Sequence, residues 1–253
     1  MRPAALLAVL AFAASVPVQE PITVSAAISL SDAFEELAKV YAQEGGGPVR
    51  FNFAGSNVLA RQIVNGAPVD LFVSADEAQM AAVEKAGSVR PGAAVPIVSN
   101  QLVVAALSDR VEAIRAGFAS ASPDIRRLAI GDPAAVPAGV YAAAYLKSRG
   151  LGAAYESRIV PTANVRAALA AVENGGTDAA IVYATDVRQS TRARAAILIP
   201  VDQAPPIVYP AAVVEATKHR QAAERFLAFL QSPAARDVLA RHGFLPAGDA
   251  KPR

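Results

Sequence analysis

VRFNFAGSNVLARQIVNGAPVDLFVSAD, residues 49–76, decides the fold. Residues 49–54 alternate in a way that suits a strand. A helix near residues 56–65 follows directly on Gly55-Ser56. Residues 70–74 are again apolar and short, the mark of a buried strand, and Asp76 heads a helix running to about Ala86. Strand, small residue, helix, strand, helix: such alternation builds a sheet with helices on its faces, and ligands in such sheets sit where strands end and helices begin.

The same rhythm extends in both directions. Upstream, residues 22–25 read as a strand. Ser31 and Asp32 offer helix caps, and Phe34, Leu37, Ala38 and Tyr41 recur on one helical face until Gly45-Gly46-Gly47-Pro48 ends it. Downstream, residues 101–107, 128–131, 179–183, 196–201 and 207–214 read as strands. Helices are expected near residues 138–149, 164–174, 218–231 and 233–242. The predicted class is α/β, with mostly parallel sheets flanked by helices.

Composition agrees. The 253 residues are 53% hydrophobic and 18% charged, which supports a packed core and argues against disorder. A net charge of +2, without a basic block, gives no footing for nucleic acid; Arg188, Arg192 and Arg194 are interleaved with other residues and read as a solvated face. With no cysteine, disulfides, thiolate metal sites and a cysteine-linked lipid anchor are excluded. Met1-Arg2 followed by an uncharged apolar run over residues 4–14 and small residues reads as an export signal within residues 1–20. The run is too short to stay in a bilayer as a span.

Enzymatic signatures are missing. His219 and His242 are the sole histidines and both fall in the C-terminal helices. No HExxH, GxSxG, phosphate-binding loop or dinucleotide fingerprint occurs. The pairs Asp70 with Asp76 and Asp132 with Asp178 lie at turn positions, where aspartate commonly bonds nearby backbone. A secreted α/β hydrolase is the alternative from another class, and it would need one of the two late histidines in a cleft. The ligand-sensing domain of a regulator would need an attached DNA-binding or membrane segment.

What recurs is a helix that starts just after a strand. Ser29 and Ser56 stand at two such starts, Ala138 with Gly139 at a third, Val165 at a fourth. Each helix end carries unpaired N–H groups and about half a positive charge. Several ends brought together would hold an anion without lysine or arginine. Taken singly, a serine at a helix start is an ordinary cap, Tyr183 at a strand end is ordinary core, and Ala138 and Val165 carry no signal.

Six segments in order carry a family resemblance: residues 26–30 (AAISL), 53–63 (FAGSNVLARQI), 66–76 (GAPVDLFVSAD), 131–142 (GDPAAVPAGVYA), 164–169 (NVRAAL) and 181–183 (IVY). Over about residues 22–245 the chain resembles the periplasmic molybdate-binding proteins of ABC importers. The resemblance implies a type II two-lobe periplasmic-binding-protein architecture, with residues 21–98 and 205–253 in lobe I, 99–204 in lobe II, and the ligand in the cleft. It also implies a ligand set of Ser29, Ser56, Ala138, Val165 and Tyr183 holding intact molybdate or tungstate, with no catalytic residue and no cofactor. A periplasmic monomer delivering its anion to a permease is expected; sulfate or another small oxyanion is the alternative cargo. Ile28, Gly55 and Asn57 depart from the family's usual residues around the two serines.

Overall fold

The computed structural model describes residues 20–250, so the expected export signal lies outside the described residues apart from Glu20. In chain order the first unit comprises β1 (Ile22–Ala27), α1 (Ser31–Gln43), β2 (Val49–Ala54), α2 (Ser56–Val64), β3 (Leu71–Val73), α3 (Glu77–Lys85) and β4 (Val95–Val98). The chain then crosses into β5 (Leu102–Leu107), α4 (Val111–Gly117), β6 (Leu128–Gly131), α5 (Pro137–Ser148), α6 (Gly152–Glu156), β7 (Ile159–Thr162), α7 (Val165–Glu173), β8 (Ala179–Tyr183), α8 (Ala184–Arg188) and β9 (Ala193–Leu198). It returns as β10 (Tyr209–Val213) and closes with α9 (Arg220–Leu230) and α10 (Pro233–Arg241).

Two five-stranded sheets result, ordered β2-β1-β3-β10-β4 and β7-β6-β8-β5-β9. This is the two-lobe α/β architecture. Both sheets are mixed. The strands that lead into or out of a crossover, β4, β5, β9 and β10, pair antiparallel, while β1, β2 and β3 and likewise β6, β7 and β8 pair parallel. Parallel neighbours need a helical crossover between them, and the strand–helix units supply it. The strands that carry the chain between sheets enter without such a helix and run the other way.

Strand alternation sets the layers. On β3, Leu71 and Val73 join the main core while Phe72 points to a second cluster with Leu59, Ile63, Met80 and Val83 from α2 and α3. On β10, Ala211 and Val213 face the first and Ala212 the second. A period of two thus gives the first sheet a helix layer on each face. Tyr41 of α1 meets Phe226 and Phe229 of α9, about 5.0 Å from both rings, and Phe34 packs against Phe51 of β2. Burying each such large apolar side chain stabilises the fold by roughly 1.5–3 kcal/mol relative to leaving it exposed.

The strand expected over 196–201 sits at Ala193–Leu198, and α4 and β7 are absent from the sequence reading; Pro161 interrupts the pattern of β7. β7 is an edge strand, where a proline leaves no ladder bond unmade. No described helix is long and apolar enough to cross a membrane.

Candidate functional site

The strands of both sheets end toward one small cavity, and Ser29, Ser56, Ala138, Val165 and Tyr183 all line it. Its volume is about 20 Å3, on a measure by which one water takes roughly 10–15 Å3. That leaves room for one compact ligand and none for a sugar ring or a peptide. Three wider concavities among the described residues, 460 to 690 Å3, are lined by none of these five residues.

Each lining residue arrives by a separate strand-to-helix junction. Ser29 lies in the 3-10 turn Ile28–Leu30 that joins β1 to α1. Gly55, extended between β2 and α2, lets Ser56 open that helix. In the second lobe Val136 is the extended cap of α5, and Pro137 takes its first position, which needs no N–H. Asn164 caps α7, its Oδ1 accepting the Ala167 N–H at 2.9 Å. The N–H groups of Ser56, Ala138 and Val165, each in the first turn of its helix, therefore have no acceptor one turn back.

Close packing fixes these ends. A Cβ on Gly139 would fall 1.9 Å from the Gly131 carbonyl oxygen, so only glycine lets α5 press its first turn against the end of β6. Gly55 plays a similar part across the cleft, where a Cβ would sit 3.2 Å from the Ala163 carbonyl oxygen and 2.7 Å from Asn57 Oδ1. Glycine at 55 and asparagine at 57 are thus spatially coupled. Gln79 of α3 donates to the Ala135 carbonyl, and Arg166 of α7 pairs with Asp32 of α1, so the lobes touch on both sides of the cavity.

The hydroxyls are unequal. Ser56 Oγ accepts the Ala75 N–H at 2.9 Å, so its own hydrogen is free for another acceptor. Ser29 Oγ lies 3.0 Å from the Tyr209 hydroxyl, also in the core. The Tyr183 hydroxyl is wholly buried beside that of Tyr209, yet no atom meets it with hydrogen-bond geometry. Burial keeps Tyr183 protonated, its pKa pushed well above that of a free phenol. A buried hydroxyl left unpaired costs about 1–3 kcal/mol, a sign that something else is meant to meet it.

No charged side chain is among the described residues lining the cavity. Charge stands one layer out. Asp186 of α8 is fully buried and accepts the Tyr183 N–H at 3.3 Å; its Oδ1 lies 2.7 Å from Arg166 Nε, though that N–H does not point at it. Burial raises the Asp186 carboxyl to about 7 against the pull of Arg166. Residues bearing N–H and O–H groups thus line a small space without a charged side chain, a lining whose chemistry suits an anion.

The two histidines are elsewhere. His219 heads α9 and bonds Asp70 and Glu20, and His242 bonds Glu36. Among the described residues no cluster of three or more His, Cys, Asp or Glu could hold a metal ion. Asp76 caps α3 through Gln79 and Asp132 accepts the Ala134 N–H in its own turn, but Asp178 departs from the turn reading and accepts the N–H groups of Arg126 and Arg127, distant in sequence. Asp70 does not serve its own turn: it accepts the Thr23 N–H at 2.7 Å and also holds Thr217 and His219, tying β3 to the segment before α9.

Residues 22–245 match the model of a family described as bacterial extracellular solute-binding protein. The molybdate-binding protein ModA of Haemophilus influenzae is 38% identical over 230 residues, 88% of this chain and 89% of that protein. A putative ABC transporter substrate-binding lipoprotein of Bacillus subtilis, YvgL, is 33% identical, covering 88% of this chain and 84% of its own. The solved periplasmic molybdate-binding protein of Azotobacter vinelandii superposes with a TM-score of 0.77 at 25% identity, over 92% of this chain and all of that one.

Proposed function

This chain belongs to the bacterial extracellular solute-binding proteins, and we propose that within them it captures molybdate for an ABC importer. It is a binding protein, not an enzyme. The observation that carries the reading is the cavity itself: five donor positions from five separate junctions surround room for one compact ligand, and the Tyr183 hydroxyl there has no partner. A tetrahedral dianion supplies only acceptors, which is what such a lining lacks. Ser29 and Ser56 donate from lobe I, and the Ala138 and Val165 amides with the Tyr183 hydroxyl donate from lobe II.

The lobes act as a clamp. The crossings at residues 99–101 and 199–208 are the hinges, dividing lobe I (21–98 and 205–253) from lobe II (99–204). The anion first rests on one lobe, and closure adds the donors of the other. Tungstate has the same shape and charge as molybdate and binds the same donors. Sulfate is smaller, so rigidly placed donors meet it less well. The protein works in the periplasm as a monomer, and the closed form docks on a permease.

Isothermal titration with molybdate, tungstate, sulfate and phosphate tests the assignment. Molybdate and tungstate should bind at sub-micromolar concentration and sulfate far more weakly. Tight sulfate binding without molybdate binding would overturn it.

A further inference from the structure

Behind Ser29 runs a buried hydrogen-bond chain whose direction can be derived. Asn100, in the crossing between β4 and β5, is 2% exposed. Its Oδ1 accepts the Gln101 N–H at 2.9 Å, which fixes the amide so that Nδ2 points inward. Nδ2 donates to Thr185 Oγ1 at 2.9 Å and to the Tyr209 hydroxyl oxygen at 3.3 Å. An amide nitrogen has no lone pair to offer, so the Tyr209 oxygen must accept there. Among the described residues Ser29 Oγ, 3.0 Å away, is the acceptor that geometry gives the Tyr209 hydrogen; the reverse bond would leave that buried hydrogen unpaired beside Tyr183, so Tyr209 is the donor. Ser29 thereby receives a hydrogen from behind and turns its own into the cavity. Burial holds Tyr209 in its protonated form, its pKa raised above the ordinary phenol value.

Ser56 is fixed in the same sense by the Ala75 N–H. Both serines of lobe I are therefore committed donors. A ligand oxygen that carries no proton satisfies them; one that carries a proton confronts hydrogen with hydrogen. Resting on the reading of this cavity as an oxyanion site, we propose that Asn100 and Tyr209 are positioning residues that lock Ser29 as a donor. They thereby select oxyanions without a proton at neutral pH, such as molybdate, tungstate and sulfate, over hydrogen phosphate and hydrogen arsenate. Both residues stand at the crossings between the sheets, Tyr209 opening β10 and Asn100 just before β5. The hinge thus sets the chemistry of the site without touching the ligand.

The test is a double-mutant cycle read by titration with sodium molybdate and, in competition, inorganic phosphate. Tyr209→Phe frees the Ser29 hydroxyl to turn either way. Molybdate affinity should fall about tenfold, the scale of one hydrogen bond to a charged group. The preference for molybdate over hydrogen phosphate should narrow by a similar factor. In a Ser29→Ala background the same substitution should change neither, because Tyr209 acts through that hydroxyl. Asn100→Asp provides a second arm: the carboxylate takes the Tyr209 hydrogen, Tyr209 then accepts from Ser29, and Ser29 presents lone pairs to the anion. Its loss of molybdate affinity should exceed that of Tyr209→Phe and should shrink when Ser29 is alanine. Losses that add in the double variants, or a fall in affinity equal for molybdate and hydrogen phosphate, assign Tyr209 and Asn100 a purely structural role and overturn the proposal. A wild-type protein that binds no molybdate overturns the function proposed above, a result separate from an intact protein whose selectivity ignores Tyr209.

Discussion

The two walls of the cavity are built differently. On the lobe I wall each serine hydroxyl already has a protein partner, Ser56 through Ala75 and Ser29 through Tyr209. On the lobe II wall the donors are main-chain amides at two helix starts and a tyrosine hydroxyl with no partner. The first wall is oriented before any ligand arrives. The second is left unsatisfied until something fills the space. A clamp needs both: a prepared surface to receive the anion, and a surface that gains by closing on it.

The sharpest way to break this comparison is at α5. Gly139→Ala places a Cβ 1.9 Å from the Gly131 carbonyl oxygen, backbone against backbone. The helix start must move, taking the Ala138 amide with it. Overpacking of this kind costs about 1–3 kcal/mol or more, and chemical denaturation should show it, together with a loss of molybdate binding larger than any single hydroxyl gives. A stable variant with unchanged binding would mean that the Ala138 amide is not held by this packing.

The next two substitutions set the walls against each other. Ser56→Ala removes a donor from the site and also leaves the Ala75 N–H buried without its acceptor. It should weaken molybdate binding by about 1–3 kcal/mol and destabilise the ligand-free protein by a comparable amount. Tyr183→Phe should weaken binding on the same scale, yet leave the ligand-free protein as stable or more so, because it deletes a hydroxyl that had nothing to bond. Thermal unfolding with and without molybdate separates the two outcomes. Equal destabilisation by both would erase the difference between the walls.

Most of this was legible in the sequence, and the residues show why. Strands at Val49–Ala54, Leu128–Gly131 and Ala179–Tyr183 fall at the expected positions because each is an apolar run bounded by a turn or helix signal. The short helices α6 and α8, five residues each, are too brief to display a period. Four of the five candidate positions are legible as helix starts and Tyr183 comes only from the resemblance; all five line one cavity. The contacts behind them were out of reach. Ser29 meets Tyr209 across 180 residues of sequence, and Asp70 meets Thr217 across 147. Turn chemistry read locally assigns such an aspartate to its own neighbours, since nothing in the chain near Asp70 announces the distant hydroxyl it holds.

The smallest expected effect concerns charge on the lobe II side. Asp186 is fully buried beside Tyr183, with the Arg166 guanidinium facing it, the Tyr183 N–H donating to it, and Asp32 adding like charge through the shared arginine. Burial raises its carboxyl from the usual 3.8 to about 7. Between those values the native protein keeps a proton that the unfolded chain has released, so this group makes stability fall as pH rises, and the fall ends once pH passes about 7. Asp186→Asn removes the titration while keeping the shape. Thermal unfolding of the two proteins from about pH 4 to about pH 8 should show the wild type losing ground to the variant by an order of a few degrees. A gap for Asp186→Asn that stayed constant with pH would mean that Arg166 keeps the carboxylate ionised, and that lobe II carries no buried group awaiting a change of charge.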